Sequence, residues 1–338
     1  MSVRDTSPAA GAAQALFGGH FSGMTWGWTG VRGTWATAEA THSLDELSRT
    51  NINWVVIAYA AQQANAQETV VEWREAPAPT DDEIRWAINA SRERGYKVCL
   101  KPTVNCKDGT WRGYIGFFDW DVPGEATWGE WFNSYTQYMV HMATLAEEMS
   151  VDLFCIGCEM VRADSRENEW RELIRQVRAV YSGPITYNCD KYQEDHLTWW
   201  DAVDVISASG YYPTGSWQTQ LDRIAPVVAK YDKPFLFIEA GCPSRDTSPA
   251  KPNDWTLAGK VSVEAQADYL AEMFEENSSR DWVAGFALWD WPAKLYSPTE
   301  ADQNDDYCMY AKPGEKVVAR YYGRRNAEQV SVGEGRPE

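Results

Sequence analysis

Short apolar runs rich in β-branched and aromatic residues alternate along this chain with longer segments whose apolar positions recur at helical spacing. Strands covered on both faces read as continuous apolar runs, so the alternation predicts a parallel sheet joined by crossover helices. Eight runs are predicted as strands, at 21–26, 52–59, 96–103, 151–158, 184–188, 203–209, 234–238 and 283–289. Eight βα units close into a barrel, so the expected fold is of the α/β class, a single-domain (β/α)8 TIM barrel.

Helix start signals support the count. Ser43-Leu-Asp-Glu46, Thr80-Asp-Asp-Glu83 and Thr127-Trp-Gly-Glu130 each read as a capping box, in which a hydroxyl and a Glu satisfy orphan backbone donors reciprocally. Gly95 reads as the stop of the helix before the third strand. Further helices are expected near 167–181, 216–231, 262–276 and 315–322, with no internal repeat and no low-complexity linker. The small, polar segment 1–18 and the polar tail 323–338 are expected to be flexible ends of a 19–322 catalytic domain. Two long connections, 105–126 and 241–261, follow the third and seventh strands and are expected to build the rim of the site.

Composition narrows the partners. Forty-nine acidic residues against 31 basic ones give a net charge of -18, which repels nucleic acid and anionic membrane and suits a neutral substrate. Eighteen Trp and 17 Tyr exceed what such a core requires, so some are expected at the surface, where indole can stack on the apolar face of a sugar ring. Seven Cys without a disulfide framework suit a reducing compartment, and Cys155 and Cys158, three apart in a predicted strand, are expected on opposite faces. Residues 1–18 lack an apolar leader core and no stretch reaches membrane-spanning length. The expected location is the cytoplasm, or outside the cell if a leader has been removed.

The chemistry points to two carboxylates. Glu159 ends Val-Asp-Leu-Phe-Cys-Ile-Gly-Cys-Glu and Glu239 ends Phe-Leu-Phe-Ile-Glu, the fourth and seventh runs. A carboxylate at the C-terminal tip of a barrel strand sits where such folds carry their chemistry, and a facing pair is the apparatus of glycoside hydrolysis. Tyr211, after the sixth strand, is placed to donate to Glu239 and hold it ionised. Lys101 and Asn105 end the third strand, where a buried ammonium needs a carboxylate or sugar hydroxyls. Trp289 is expected as the floor under the sugar, flanked by Trp26 and Trp28, with Asn188 and Tyr212 also expected to bind substrate. No HExxH or GxSxG pattern serves the four His residues, and Asp302-Gln-Asn-Asp-Asp306 lacks the Gly and closing Glu of a calcium loop, so no metal or organic cofactor is expected.

The segments Val98-Cys-Leu-Lys-Pro-Thr-Val104, Asp108-Gly-Thr-Trp-Arg-Gly113, Ile156-Gly-Cys-Glu159, Trp199-Trp-Asp201, Gly210-Tyr-Tyr-Pro213 and Ile238-Glu-Ala-Gly241 resemble glycoside hydrolase family 113 over roughly residues 21–322. The resemblance implies a retaining (β/α)8 enzyme, mainly of β-1,4-mannanase type, with Glu159 as acid/base, Glu239 as nucleophile and Tyr211 as the nucleophile's partner. It also implies Lys101, Asn105, Trp111 and Trp289 as substrate contacts. Two positions depart from the expected pattern: Cys158 stands where the wider clan has an Asn for the sugar 2-hydroxyl, and Thr103 where a His is expected. The expected partner is a β-linked oligo- or polysaccharide. Xylan, β-glucan or another β-mannoside linkage, and a sugar-binding barrel without turnover, are the competing readings.

Overall fold

The computed structural model describes residues 7–333 of the chain. Eight parallel strands close into a barrel in sequence order: β1 (Phe21–Trp26), β2 (Trp54–Gln63), β3 (Lys97–Cys106), β4 (Leu153–Cys158), β5 (Ile185–Cys189), β6 (Val205–Gly210), β7 (Phe235–Ala240) and β8 (Val283–Trp291). All eight predicted strands are present. β2 and β3 run farther than expected at their C-terminal ends, through Gln62, Gln63 and Asn105, and so carry polar groups up to the mouth.

Around the barrel lie α2 (Ala38–Glu46), α3 (Asp81–Glu93), α4 (Trp128–Glu148), α5 (Glu167–Arg178), α6 (Trp217–Tyr231), α7 (Val263–Asn277) and α8 (Pro313–Gly333). Capping boxes at Thr80 and Thr127 start α3 and α4 as predicted. The Ser43 box does not form. α2 begins at the Thr37 cap, and Ser43 lies buried inside it, donating to Pro292 O at 2.6 Å and accepting from Trp26 Nε1. Among the described residues, no helix is long and apolar enough to cross a membrane.

The N-terminal segment also differs from expectation. Residues Pro8–Phe17 form α1, capped by Ser7, begun by a proline and stopped at Gly18 in the left-handed conformation. Its Ala13 and Phe17 join a buried cluster with Phe21, Trp54, Cys99, Leu153 and Leu236, so this helix closes the bottom of the barrel. At the other end α8 continues past Tyr322, the last residue of the expected domain, to Gly333.

Most of the tryptophan is core. Trp26, Trp35, Trp54, Trp131, Trp170, Trp199, Trp200, Trp217 and Trp291 are fully buried, most of them between sheet and helices. Trp170 stacks on Trp199 with centroids 5.1 Å apart, an offset arrangement that adds to the large area each ring removes from water.

Candidate active site

Bulges aim both glutamates. Between β4 and β5 the pairing passes from Cys155↔Thr186 to Cys158↔Asn188, and between β6 and β7 from Ala208↔Phe237 to Ser209↔Glu239. Each step inserts one extra residue, on β4 just before Glu159 and on β7 at Ile238, and a bulge there turns the next side chain into the mouth. The same irregularity corrects the expectation for Cys155 and Cys158: Cys155 belongs to the barrel interior and Cys158 reaches Glu239, so both point inward. Glu159 holds φ 54, a left-handed conformation that a non-glycine residue occupies at a cost of about 1–3 kcal/mol and that clusters at functional sites.

Glu239 sits at the floor, 4% exposed, and Lys101, 1% exposed, gives its ammonium to Oε1. Lys101 also donates to Asn188 Oδ1 at 2.6 Å, the Cys158 thiol lies 3.3 Å from Glu239 Oε1, and Tyr211 Oη donates to Oε2 at 3.1 Å. Burial alone would push this carboxyl up, but the charges of Lys101 and Arg112 and the Cys158 hydrogen bond outweigh it and hold Glu239 below its ordinary value. Burial, followed by the Glu239 charge, pushes the Tyr211 phenol and the Cys158 thiol well up, so both stay protonated and able to donate.

Glu159 is held from two sides. Ser209 Oγ donates to Oε1 at 2.7 Å, while Arg112 Nη1 and Trp111 Nε1 approach Oε2 at 3.2 and 3.4 Å. Arg112 is fixed in turn by Asn105 Oδ1 at 2.9 Å and the Val104 carbonyl at 3.1 Å. Carboxylate oxygens of Glu159 and Glu239 and the Cys158 sulfur lie within 4.8 Å of one another. That spacing could suit a metal ion, yet Lys101 and Arg112 already supply two positive charges to the same atoms, and a cation would meet both.

These groups open into a cavity of about 620 Å³. Trp28, Asn105, Trp111, Tyr211 and Trp289 line it as predicted, and Trp28 meets Trp289 at 5.2 Å between centroids. Lys101 and Asn188 lie beneath the carboxylates, where Asn188 accepts from Lys101 and donates to Ser209 at 3.0 Å; neither lines the cavity, so Asn188 is a support for the floor. Two further expected contacts also stand off the cavity. Trp26 points outward from β1 into the helix layer, bonding Ser43, and Tyr212 is buried behind the site with its hydroxyl on Glu194.

Sequence reasoning passed over Arg112, Asp190, Lys191, Asn253 and Trp255, which also line the cavity. Arg112 had a signal, being next to Trp111 in the quoted Asp-Gly-Thr-Trp-Arg-Gly segment. Asp190 lies just past the end of β5, and burial, then the Glu159 charge, push its carboxyl up to about 7 against the pull of Lys191 at 3.6 Å. Trp255, from the long connection after β7, meets Trp289 edge-on at 6.0 Å. That connection was expected at the rim, though nothing in it singles out Trp255.

Two carboxylates in contact range, one beside a buried ammonium and the other beside a guanidinium, both on the cavity wall, have the arrangement that a double displacement uses. The sequence profile of Glycoside Hydrolase Family 113 matches residues 24–312. A solved structure described as a family 113 β-1,4-mannanase is 50% identical, with a TM-score of 0.90 over 91% of this chain and 100% of that one. The family 113 β-mannanase of Alicyclobacillus acidocaldarius, solved in complex with ManMIm, is 41% identical, with a TM-score of 0.88 over 90% of this chain and 98% of that one. A β-glucuronidase of Faecalibacterium prausnitzii, 13% identical with a TM-score of 0.62 over 90% of this chain and 49% of that one, shares the barrel fold. No curated protein sequence compared with the chain matches it. The chain belongs to glycoside hydrolase family 113.

Proposed function

We propose that this protein is a retaining β-1,4-mannanase in which Glu239 is the nucleophile and Glu159 the acid/base. The observation that carries the mechanism is the separation of the two carboxylates, whose oxygens come within 4.8 Å. Retaining glycosidases hold the pair about 5 Å apart, whereas inverting ones leave about 6.5–9.5 Å for a water. The 50% identical β-1,4-mannanase supports the choice of sugar.

In the first step Glu239 bonds to the anomeric carbon as the bond to the leaving oxygen breaks, and Glu159 gives that oxygen a proton. In the second, Glu159 takes a proton from water, whose oxygen attacks the same carbon and frees Glu239. Tyr211 and Cys158 aim the nucleophile, and Lys101 keeps it charged before attack. Once Glu239 is an ester its charge is gone, and Arg112, already 3.2 Å from Glu159, remains to steady the new Glu159 carboxylate. Cys158 is spent on Glu239 and does not line the cavity, so a sugar 2-hydroxyl must find its partner elsewhere, with Asn105 exposed to it on the cavity wall. A panel of mannan, glucomannan, xylan and β-glucan oligomers tests the reading: the mannose-containing members should be cut fastest, and preferential cleavage of xylan or glucan oligomers would overturn the choice of sugar.

A further inference from the structure

Large aromatic side chains exposed to solvent are confined to one face of this barrel. Among the described residues they are Trp111, Tyr114, Phe118, Trp120, Tyr192 and Trp255, and all six lie on connections that leave the C-terminal ends of β3, β5 and β7. Four of the six belong to ten consecutive residues after β3. Scattered exposed aromatics need no explanation, but a group gathered beside the catalytic cavity does.

The segment that carries these four is anchored. Ile115 is buried, Phe117 packs edge-on against Trp128 at 5.3 Å, Gly116 N donates to the Ala66 carbonyl, and Arg162 N donates to the Gly113 carbonyl. The inward residues therefore hold the loop, and the outward ones are displayed to solvent: Tyr114 is 58%, Phe118 53% and Trp120 70% exposed. The display is continuous with the site, because Trp111 lines the cavity, points its Nε1 at Glu159 and meets Tyr114 edge-on with centroids 5.5 Å apart.

On the reading above, which this inference rests on, Glu159 protonates the leaving group, so Trp111 stands beside the departing half of the substrate. We propose that Tyr114, Phe118 and Trp120 extend that contact outside the cavity as a sugar-binding platform for the leaving-group side of a long, neutral β-linked glycan chain. Pyranose rings present apolar C–H faces that stack on aromatic rings, while their hydroxyls stay in water, which suits a half-exposed aromatic rim. The exposed Asp119 and Asp121 beside Trp120, and the chain's net charge of -18, select a neutral polymer over an acidic one. The platform makes the enzyme favour internal bonds of long chains over short substrates.

The test compares the native enzyme with the triple variant Tyr114→Ala, Phe118→Ala, Trp120→Ala, on soluble galactomannan polymer and on an aryl β-mannobioside that fills only the cavity. The ratio of polymer to aryl-glycoside kcat/KM should fall about tenfold in the variant, through KM, the loss expected from removing a modest stacking contribution. An unchanged ratio would overturn the platform. Retardation of the inactive Glu239→Gln protein in a native gel cast with the galactomannan gives a second reading: the three added substitutions should abolish it, and undiminished retardation counts against the proposal. Should the variant fold poorly, native-enzyme rates on manno-oligosaccharides lengthened at the reducing end should keep rising beyond the length that fills the cavity, and a plateau there is the contrary result. Failure of the native enzyme to cut any mannan sinks the mannanase reading itself, a distinct outcome from an unchanged ratio.

Discussion

The ammonium of Lys101, on β3, is buried directly against the carboxylate of Glu239, on β7, with both side chains almost wholly out of solvent. A buried pair of this kind stabilises little compared with an apolar pair of the same shape, but removing one partner leaves the other charge stranded. Its value here is electrostatic: it holds the Glu239 carboxyl below its ordinary value against the upward push of burial.

Lys101→Met retains the bulk and deletes the charge. Burial then acts on Glu239 without its nearest cation, so the acid limb of the kcat/KM profile should move to higher pH. Stability should fall by about 3–5 kcal/mol at neutral pH, measured by urea unfolding. Because the folded pKa of Glu239 lies below its ordinary value, its contribution is present above the unfolded carboxyl range and is lost as pH falls through the folded pKa. The gap between native and variant should therefore narrow in acid; a gap independent of pH, with an unmoved acid limb, contradicts the pair's role.

Asp190 carries the opposite sign. Its carboxyl rises from 3.8 to about 7, so the folded state holds a proton that the unfolded chain has released, and stability declines as pH rises across that window. Asp190→Asn removes the titration. Relative to the native enzyme, the variant should gain stability as pH rises from 3.8 to about 7, by up to about 4 kcal/mol at 1.36 kcal/mol per tenfold change in proton affinity. Equal pH slopes in urea unfolding would show that Asp190 titrates normally.

Phe17 separates stability from catalysis. It packs edge-on against Phe21 and Trp54, at 5.4 and 5.7 Å, on the face of the barrel opposite the site. Phe17→Ala should cost about 3–5 kcal/mol in unfolding free energy, as large-to-small core changes do, with kcat/KM unchanged at temperatures where the protein stays folded. A fall in kcat/KM under those conditions would mean that the bottom of the barrel is coupled to the mouth.

The barrel was legible in the sequence because buried parallel strands must be apolar throughout, which made Phe21–Trp26 and Phe235–Ala240 stand out between helical segments. Strand ends were less visible: the second and third strands were expected to stop at 59 and 103, yet backbone pairing continues through Gln63 and Cys106, with Asn105 on the cavity wall and Gln63 turned outward to accept from Trp131. Glu159, Glu239 and Tyr211 could be found because strand tips at a barrel mouth have one place to go. Trp26 and Tyr212 were misplaced because neighbours in sequence point to opposite sides of a strand or turn, and only tertiary packing assigns the sides. Ser43 had the local pattern of a cap but was captured by Pro292, and α1 was hidden by an Ala- and Gly-rich composition although Ser7, Pro8 and Gly18 marked its limits. Trp255 lies in the 241–261 connection expected at the rim, but nothing in the sequence singles it out from its loop neighbours, and Asp190 reaches the cavity from a short turn that carries no signature.

On the proposed mechanism Glu239 attacks from the face opposite the leaving group and water then enters from that leaving-group side, so configuration is kept. Proton NMR of the anomeric region during the first minutes of manno-oligosaccharide cleavage reads this directly, before mutarotation mixes the products. The new reducing end should appear first as the β-anomer. The α-anomer appearing first would mean inversion in a single displacement, and would contradict that mechanism.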